Sequence, residues 1–245
     1  MVTGKTCGRL GNFLFQFSAV YGHARKYGFD WCMPAKSMNE KLWPTPWFKN
    51  IKYCGPQPGK LIMEKSPLYE PLPPEDNITL EGYWQSEKYW NGFHQEIAEV
   101  LEFERKEADY VSVHIRRGDY VTFRNQFPPL PLEYYRKAID KMKEHGYTYF
   151  KIYSDDIKWC QRVFNTDKFK DVQITYSTGK TPINDMRDMY NGEGFIIANS
   201  TFSLYPALLR TDNPVVIAPA ENRWFGPAAQ HLNSPTRMAE RFIKL

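Results

Sequence analysis

In the second half of the chain, short apolar runs alternate with stretches whose apolar positions recur every three or four residues. The run 110–119, YVSVHIRRGD, is β-rich and ends in a turn. Residues 131–145 open on a proline and carry Tyr135, Ile139 and Met142 at helical spacing. The pattern then predicts a strand at 147–156 and a helix at 157–164 with Asp155 or Asp156 as its N-cap. It continues with a strand at 172–177, a helix from Pro182 to 191 and a strand at 194–200. A helix at 202–210, despite Pro206, and a strand at 214–219 complete it. Strands alternating with helices mean βαβ units, a parallel sheet and a doubly wound α/β domain.

The first half is less regular. Asn12 is placed to cap a helix whose apolar face is Leu14, Phe17, Tyr21 and Ala24, with Gly28 ending it. Residues 43–75 are rich in proline (WPTPW, GPQPG, PLYEPLPPE) and read as a looped surface segment. The charged stretch EFERKEAD marks the boundary near 103–109, giving domains 1–105 and 106–245. The sequence holds no repeat and no low-complexity tract.

Composition narrows this picture. The 245 residues are 42% hydrophobic and 24% charged, ordinary for a soluble globular protein with a sizeable core. No apolar run is long enough for a transmembrane segment. The start lacks the basic-then-apolar pattern of a secretory signal, so the expected compartment is cytoplasmic. The four cysteines, at 7, 32, 54 and 160, form no C-x-x-C pair and are expected to be reduced and mostly buried. A net charge of +4 is too small to argue for nucleic acid. Its excess lies wholly in residues 106–245, which points towards a small anionic ligand there.

In a doubly wound sheet, ligands bind at the carboxyl ends of the strands. Three polar clusters fall there in phase. They are His114-Ile115-Arg116-Arg117-Gly118-Asp119, Ser154-Asp155-Asp156, and Asn199-Ser200-Thr201-Phe202-Ser203. Strand alternation puts His114 and Arg116 on one face, with Arg117 beginning the turn. An arginine fork matches two phosphate oxygens at once. The alternative is that both arginines only pair with Asp119 or other structural carboxylates. The N–H groups and hydroxyls of NSTFS, ahead of a helix, suit an anion as well as ordinary capping. Asp155 and Asp156 suit a base or ribose as well as capping.

Other motifs carry less. Arg117-Gly118-Asp119 reads RGD but lacks a secretory context. Gly4-Lys5-Thr6 echoes a triphosphate-binding loop but lacks that loop's first glycine. The sequons at Asn77 and Asn199 lack a secretory context too. No D-x-D triplet, the metal grip of one class of sugar transferases, occurs. His23, His94, His145 and His231 show no ligand spacing.

Taken together, GRLGNFLFQ (8–16), EGYWQSEKYW (81–90), SVHIRRGDYV (112–121), YY-x-KAI (134–139), YSDD (153–156), ANSTFS (198–203) and VVIAP with RWF (215–225) resemble the inverting α1,2-fucosyltransferases of glycosyltransferase family 11. The H-x-R-R-G-D stretch recurs in the wider fucosyltransferase superfamily. The resemblance implies a GT-B-like α/β fold of two Rossmann-like lobes with a cleft between them, the first lobe reduced in this short chain. It implies transfer of fucose from GDP-fucose to a galactose hydroxyl of a glycan acceptor, in α1,2 linkage, with no metal and no other cofactor. GDP-fucose is expected on the second lobe, where His114, Arg116, Asp155, Asp156, Ser200 and Thr201 match the family's donor motifs, with Ser154, Asn199 and Phe202 beside them. Gly8, Arg9, Gly11 and Asn12 are expected to form a first-lobe turn facing the donor. Arg116 and Arg117 would neutralise the leaving diphosphate, with Asp119 close by to orient them or take a proton. Glu81 and Glu87 are further candidates for the base. The usual tryptophan-rich continuation of ANSTFS is replaced by Leu204-Tyr205-Pro206, and the first strand, before Cys7, is short.

Overall fold

The computed structural model describes residues 1–35, 48–179 and 181–245. The chain forms two compact units. One comprises Met1–Glu104 with Pro235–Met238, and the other Arg105–Ser234 with Ala239–Leu245. The WPTPW segment read as surface loop lies outside the described residues.

The first unit is built on parallel strands. β1 (Val2–Gly4) pairs with β5 (Ile78–Glu81), which pairs with β4 (Lys60–Met63). A second parallel pair joins β2 (Met33–Pro34) to β3 (Tyr53–Cys54). β3 and β4 fall inside the stretch read as loop. They are two and four residues long, too short for alternation to show. The β2–β3 register sets Pro34 beside Cys54 and brings Cys32 to a Cα–Cα distance of 5.9 Å from Cys54, where the two form a disulfide. This corrects the expectation of four reduced thiols; Cys7 and Cys160 alone are free.

Helix α1 (Leu10–Tyr27) is buried almost all round, including Leu14, Phe17, Tyr21 and Ala24. Its N-cap is Arg9, not Asn12, which lies in the first turn; Gly28, at φ 72°, ends it by donating to the Ala24 carbonyl. α2 (His94–Val100) follows β5.

The second unit matches the predicted alternation closely. A six-stranded, wholly parallel sheet runs β11-β10-β9-β6-β7-β8. Its strands are β6 (Val111–Ile115), β7 (Tyr149–Ser154), β8 (Gln173–Tyr176), β9 (Gly194–Ile196), β10 (Val215–Ala218) and β11 (Ile243–Lys244). Counted from β6, this is the order 3-2-1-4-5-6 of a doubly wound sheet, whose direction of winding reverses between β6 and β9. Val111, Val113 and Ile115 face a core built with α4 (Leu132–Glu144) and α5 (Ile157–Phe164) through Ala138, Ile139, Met142 and Phe164. Ser112, on the opposite face, donates to the Met189 carbonyl of α6 (Pro182–Asn191) at 2.8 Å. The short α3 (Gly118–Thr122) follows β6, and α7 (Thr201–Leu209) follows β9 and keeps Pro206 in its interior.

Gly22 lets α1 press against the segment after β5. An added Cβ would lie 2.5 Å from the Tyr89 carbonyl oxygen and 2.7 Å from Trp90 Cα. Gly→Ala inside a helix ordinarily stabilises by up to about 1 kcal/mol. Here the clash is with backbone, so Gly22→Ala should destabilise by about 1–3 kcal/mol in chemical denaturation.

Candidate functional site

The winding reverses between β6 and β9, and open α/β sheets bind ligands outside the carboxyl ends of the strands at such a point. The structure brings the three predicted polar clusters to this edge. Parallel pairing sets Ile115 opposite Ser154, so the residues that follow each strand meet. The Asp155 carboxylate accepts from the Arg117 backbone N–H at 2.9 Å and lies 2.9 Å from Arg116 Nη1. Asp119 takes Nη2 of the same guanidinium. Arg116 therefore has two carboxylates on its two terminal nitrogens, and its remaining N–H donors are not used by them. Its guanidinium lies 5.3 Å from the centre of the Tyr120 ring.

Arg117 is fixed by other means. Its Nε donates to Asp156 at 3.3 Å and its guanidinium stacks 3.7 Å over the Trp159 ring. Asp156 also caps α5, accepting from the Trp159 N–H at 3.1 Å, while Ser154 Oγ accepts from the Asp156 N–H. The side chain of Arg117 is only 21% exposed, which excludes a freely displayed RGD triplet. Gly118 is required by the same arrangement, because a Cβ there would lie 2.4 Å from Asp155 Oδ2.

His114 is buried at the end of β6. Its Nδ1 lies 2.9 Å from Ser203 Oγ of α7, and its ring packs 5.2 Å from that of Phe202. Ser203 Oγ also accepts from the Ala198 N–H. Burial, helped by the Arg116 charge, pushes the His114 pKa down to about 3, so the ring is neutral. Ser200 is the N-cap of α7, and its hydroxyl accepts from the Phe202 N–H at 3.3 Å. Thr201 opens the helix, half-buried. Asn199 is buried and donates to the carbonyls of Pro128 and Trp224, tying the loop before α4 to the RWF segment. That leaves Asn199 no exposure as a glycan acceptor.

The other predicted site residues lie in the first unit. Gly8 (φ 78°) sits directly over Asn12, whose Nδ2 an added Cβ would meet at 2.1 Å. Asn12 Oδ1 accepts from Gln85, which in turn accepts from Arg237. Arg9 is exposed and Gly11 buried. Gln16 exchanges hydrogen bonds with the Cys7 backbone and so fixes the turn that leads into α1. Glu81 pairs with Lys5, and Glu87 lies 3.7 Å from His94.

Four contributors were given no role from the sequence: Gly118, Tyr120, Trp159 and Ser203. Gly118 and Ser203 lie inside clusters already named. Trp159 sits three residues after a predicted cap, the spacing at which a helix side chain returns to the cap. A fifth is Asp185 in the first turn of α6, at the carboxyl end of β8. It accepts from Ser177 Oγ, and burial raises its pKa. Among the described residues, no three His, Cys, Asp or Glu side chains are grouped so as to hold a metal ion. Among the same residues, no helix is long and apolar enough to cross a membrane.

A doubly wound parallel unit joined to a second parallel α/β unit is the build of the GT-B fold. The fold matches that of NodZ α-1,6-fucosyltransferase soaked with GDP-fucose, with a TM-score of 0.50 at 12% identity, covering 91% of this chain and 95% of that one. The profile of glycosyl transferase family 11 matches residues 69–229, and the chain belongs to that family. It is 32% identical to an α-1,2-colitosyltransferase of Escherichia coli over 186 residues, covering 69% of this chain and 63% of that one. It is 36% identical to the O-antigen biosynthesis glycosyltransferase WbnK of Escherichia coli over 123 residues, covering 48% and 40%. It is 27% identical to the galactoside 2-α-L-fucosyltransferase SEC1 of Bos taurus over 253 residues, covering 86% and 65%. The chain thus spans less than two thirds of the length of each of these relatives.

The neutral His114 has a consequence for acid stability. An unfolded imidazole takes up a proton below about 6.5, and the folded one only near 3. Between those values the unfolded state binds more protons, so stability falls as pH is lowered through that window. Chemical denaturation from pH 7 to 3.5 should show that decline, with a shallower slope in His114→Asn.

Proposed function

We propose that the chain is a metal-independent, inverting glycosyltransferase that moves fucose from GDP-fucose to a galactose hydroxyl of a glycan, forming an α1,2 linkage. The observation that carries this reading is the Arg116–Arg117 pair, held rigidly at the winding reversal of the second unit in a member of glycosyl transferase family 11. The relative named as a galactoside 2-α-L-fucosyltransferase supports the sugar and the linkage.

In transfer, the bond from the anomeric carbon to the diphosphate oxygen stretches. Positive charge grows on the ring and negative charge on the departing GDP. The donors of Arg116 left free by Asp119 and Asp155 meet that growing charge, with Arg117 beside them. A preorganised donor aimed at developing charge contributes roughly 2.7–4 kcal/mol. Asp119, Asp155 and Asp156 keep the two guanidiniums from reorienting. His114, neutral at working pH, adds no charge, and at a pKa of about 3 it is too weak a base to take the acceptor's proton. Glu81 and Glu87 remain the carboxylates proposed for that step, Glu81 paired with Lys5 and Glu87 3.7 Å from His94 Nε2, both within the first unit.

Asp155 and Asp156 are committed to the arginines, so in this reading they hold the phosphate-binding pair. The carboxylate proposed to accept the guanine N1–H and N2–H₂ is then Asp185, at the neighbouring β8 end. A second reading keeps the site and changes the sugar. The Escherichia coli relative at 32% identity is named for colitosyl transfer, so nucleotide-activated colitose is the competing donor.

Three measurements test the reading. Arg116→Ala should lose at least about a hundredfold in kcat, and Arg116→Lys most of the activity, in correctly folded protein. Near-normal turnover in Arg116→Ala ends the phosphate assignment. Transfer should survive excess EDTA, and a requirement for magnesium or manganese contradicts the leaving-group role of the arginines. Calorimetry should show GDP bound far more tightly than UDP. That preference should collapse in Asp185→Asn. In Asp155→Ala and Asp156→Ala, binding of GDP and UDP should weaken together.

A further inference from the structure

We propose that the turn Gly82–Trp84 is a sugar-binding platform, with the Tyr83 ring stacking on a pyranose of the acceptor while the Lys5–Glu81 pair meets its hydroxyls. The proposal rests on the glycosyltransferase reading above and names the acceptor subsite of that activity within the first unit.

The turn is built against ordinary preferences. Trp84 adopts φ 53°, a left-handed conformation that a bulky residue rarely takes, and its side chain is nevertheless buried. Gly82 stands at φ 157° with the Glu64 side chain packed on it, where a Cβ would lie 2.4 Å from Glu64 Cβ. The Glu64 carboxylate accepts both the Tyr83 N–H at 2.7 Å and the Trp84 N–H at 2.9 Å. Gln16, buried in α1, donates to the Gly82 carbonyl at 3.0 Å. Burial raises the Glu64 pKa, so holding that charge there works against folding. A strained turn, a half-buried carboxylate and a buried glutamine are thus spent on one geometry. Its visible effect is to leave Tyr83 47% exposed, its hydroxyl meeting the Cys7 side chain, two residues past Glu81, whose strand partner Met63 is 60% exposed.

Strain maintained by several supports marks function more often than architecture. The location agrees. Glu81, Met63 and Gly4 end the three parallel strands β5, β4 and β1, so Tyr83 stands at the carboxyl edge of the sheet, where α/β units bind ligands. Met63 pairs with Glu81, which holds Lys5 through its carboxylate. At this sheet edge therefore stand an exposed aromatic ring, the Lys5–Glu81 ion pair and the Glu64 carboxylate that holds the turn. A pyranose has the matching chemistry, an apolar C–H face with hydroxyls round its edge. Pockets that combine aromatic faces with a few placed polar groups bind small ligands of this kind. An isolated surface tyrosine would need none of the Glu64 and Gln16 contacts.

The test uses the whole protein and three probes: methyl β-D-galactopyranoside, methyl β-D-glucopyranoside and methyl β-D-N-acetylglucosaminide. Saturation-transfer NMR should show contact with the ring C–H protons of at least one of them. Tyr83→Ala should weaken that probe's binding roughly tenfold, Tyr83→Phe should retain it, and GDP affinity by calorimetry should stay within about twofold in both. Tyr83 is exposed, and an unchanged melting temperature confirms that Tyr83→Ala folds. Equal sugar binding in Tyr83→Ala and wild type overturns the platform, as does no contact with any probe. Sugar binding that depends on Tyr83, in a protein that binds no GDP, upholds the platform and defeats the donor reading instead.

Discussion

The register between β6 and β7 is the constraint on which the site depends. With Ile115 opposite Ser154, the next residue of each strand brings the Arg116 guanidinium to the Asp155 carboxylate. A slip of one residue would turn every side chain of the strand to the other face and bury Arg116 in the core. Two consecutive arginines repel each other, so this edge needs carboxylates from more than one strand. Asp119 comes from the first turn of the helix Gly118–Thr122 that follows β6, while Asp155 and Asp156 follow β7. Gly118 is the steric condition for the contact, since any side chain there would occupy the place of Asp155. The H-x-R-R-G-D stretch is thus half of a structure whose other half, Ser154-Asp155-Asp156, lies some forty residues later.

What was legible in the sequence follows from this. The second unit repeats one local rule, strand then helix, so periodicity located β6 to β10 and the helices between them. The alternation of His114 and Arg116 was readable because β6 is five residues long and buried on both faces. The pairing of Arg116 with carboxylates was foreseen only as an alternative, because sequence alone gives no β6–β7 register. Trp159 under Arg117 was missed for the same reason. In the first unit the informative contacts are non-local and the strands short. β3 takes its pairing from β2 and β4 from β5, and the prolines around β3 and β4 mask what pattern they have. The Cys32–Cys54 bridge spans a separation of 22 residues with no motif around it, and only the β2–β3 pairing brings the sulfurs together. Asn12 looked like a cap because its residue type suits one. The chain instead turns at Gly8 and starts the helix at Leu10, which frees Asn12 to bond Gln85.

The two units show opposite ways of holding a polar group in place. At the second-unit edge, charges fix charges, and the stacking of Arg117 on Trp159 adds shape. At the first-unit edge, one carboxylate fixes a backbone turn, with Glu64 accepting from two consecutive N–H groups. A guanidinium held by carboxylates keeps donors for an anion. A turn held through its backbone leaves the Tyr83 ring exposed for an apolar contact while its hydroxyl meets the Cys7 side chain. The difference in support thus matches the difference in the ligand proposed for each edge.

The charge count at the arginine pair bears on how such a site would work. Two guanidiniums against three carboxylates leave one net negative charge. Ser200 uses part of the positive end of α7 for its own cap. A site designed only to attract a diphosphate would not be arranged this way, because Asp119, Asp155 and Asp156 repel it. Their presence makes sense if positioning matters more than attraction. Ground-state binding that equals transition-state binding does nothing for the chemical step. Carboxylates that weaken the resting attraction while locking the N–H donors in direction leave those donors ready for the charge that appears when the glycosidic bond breaks. Their own reorientation has then been completed during folding, in the crowded contact between Gly118 and Asp155.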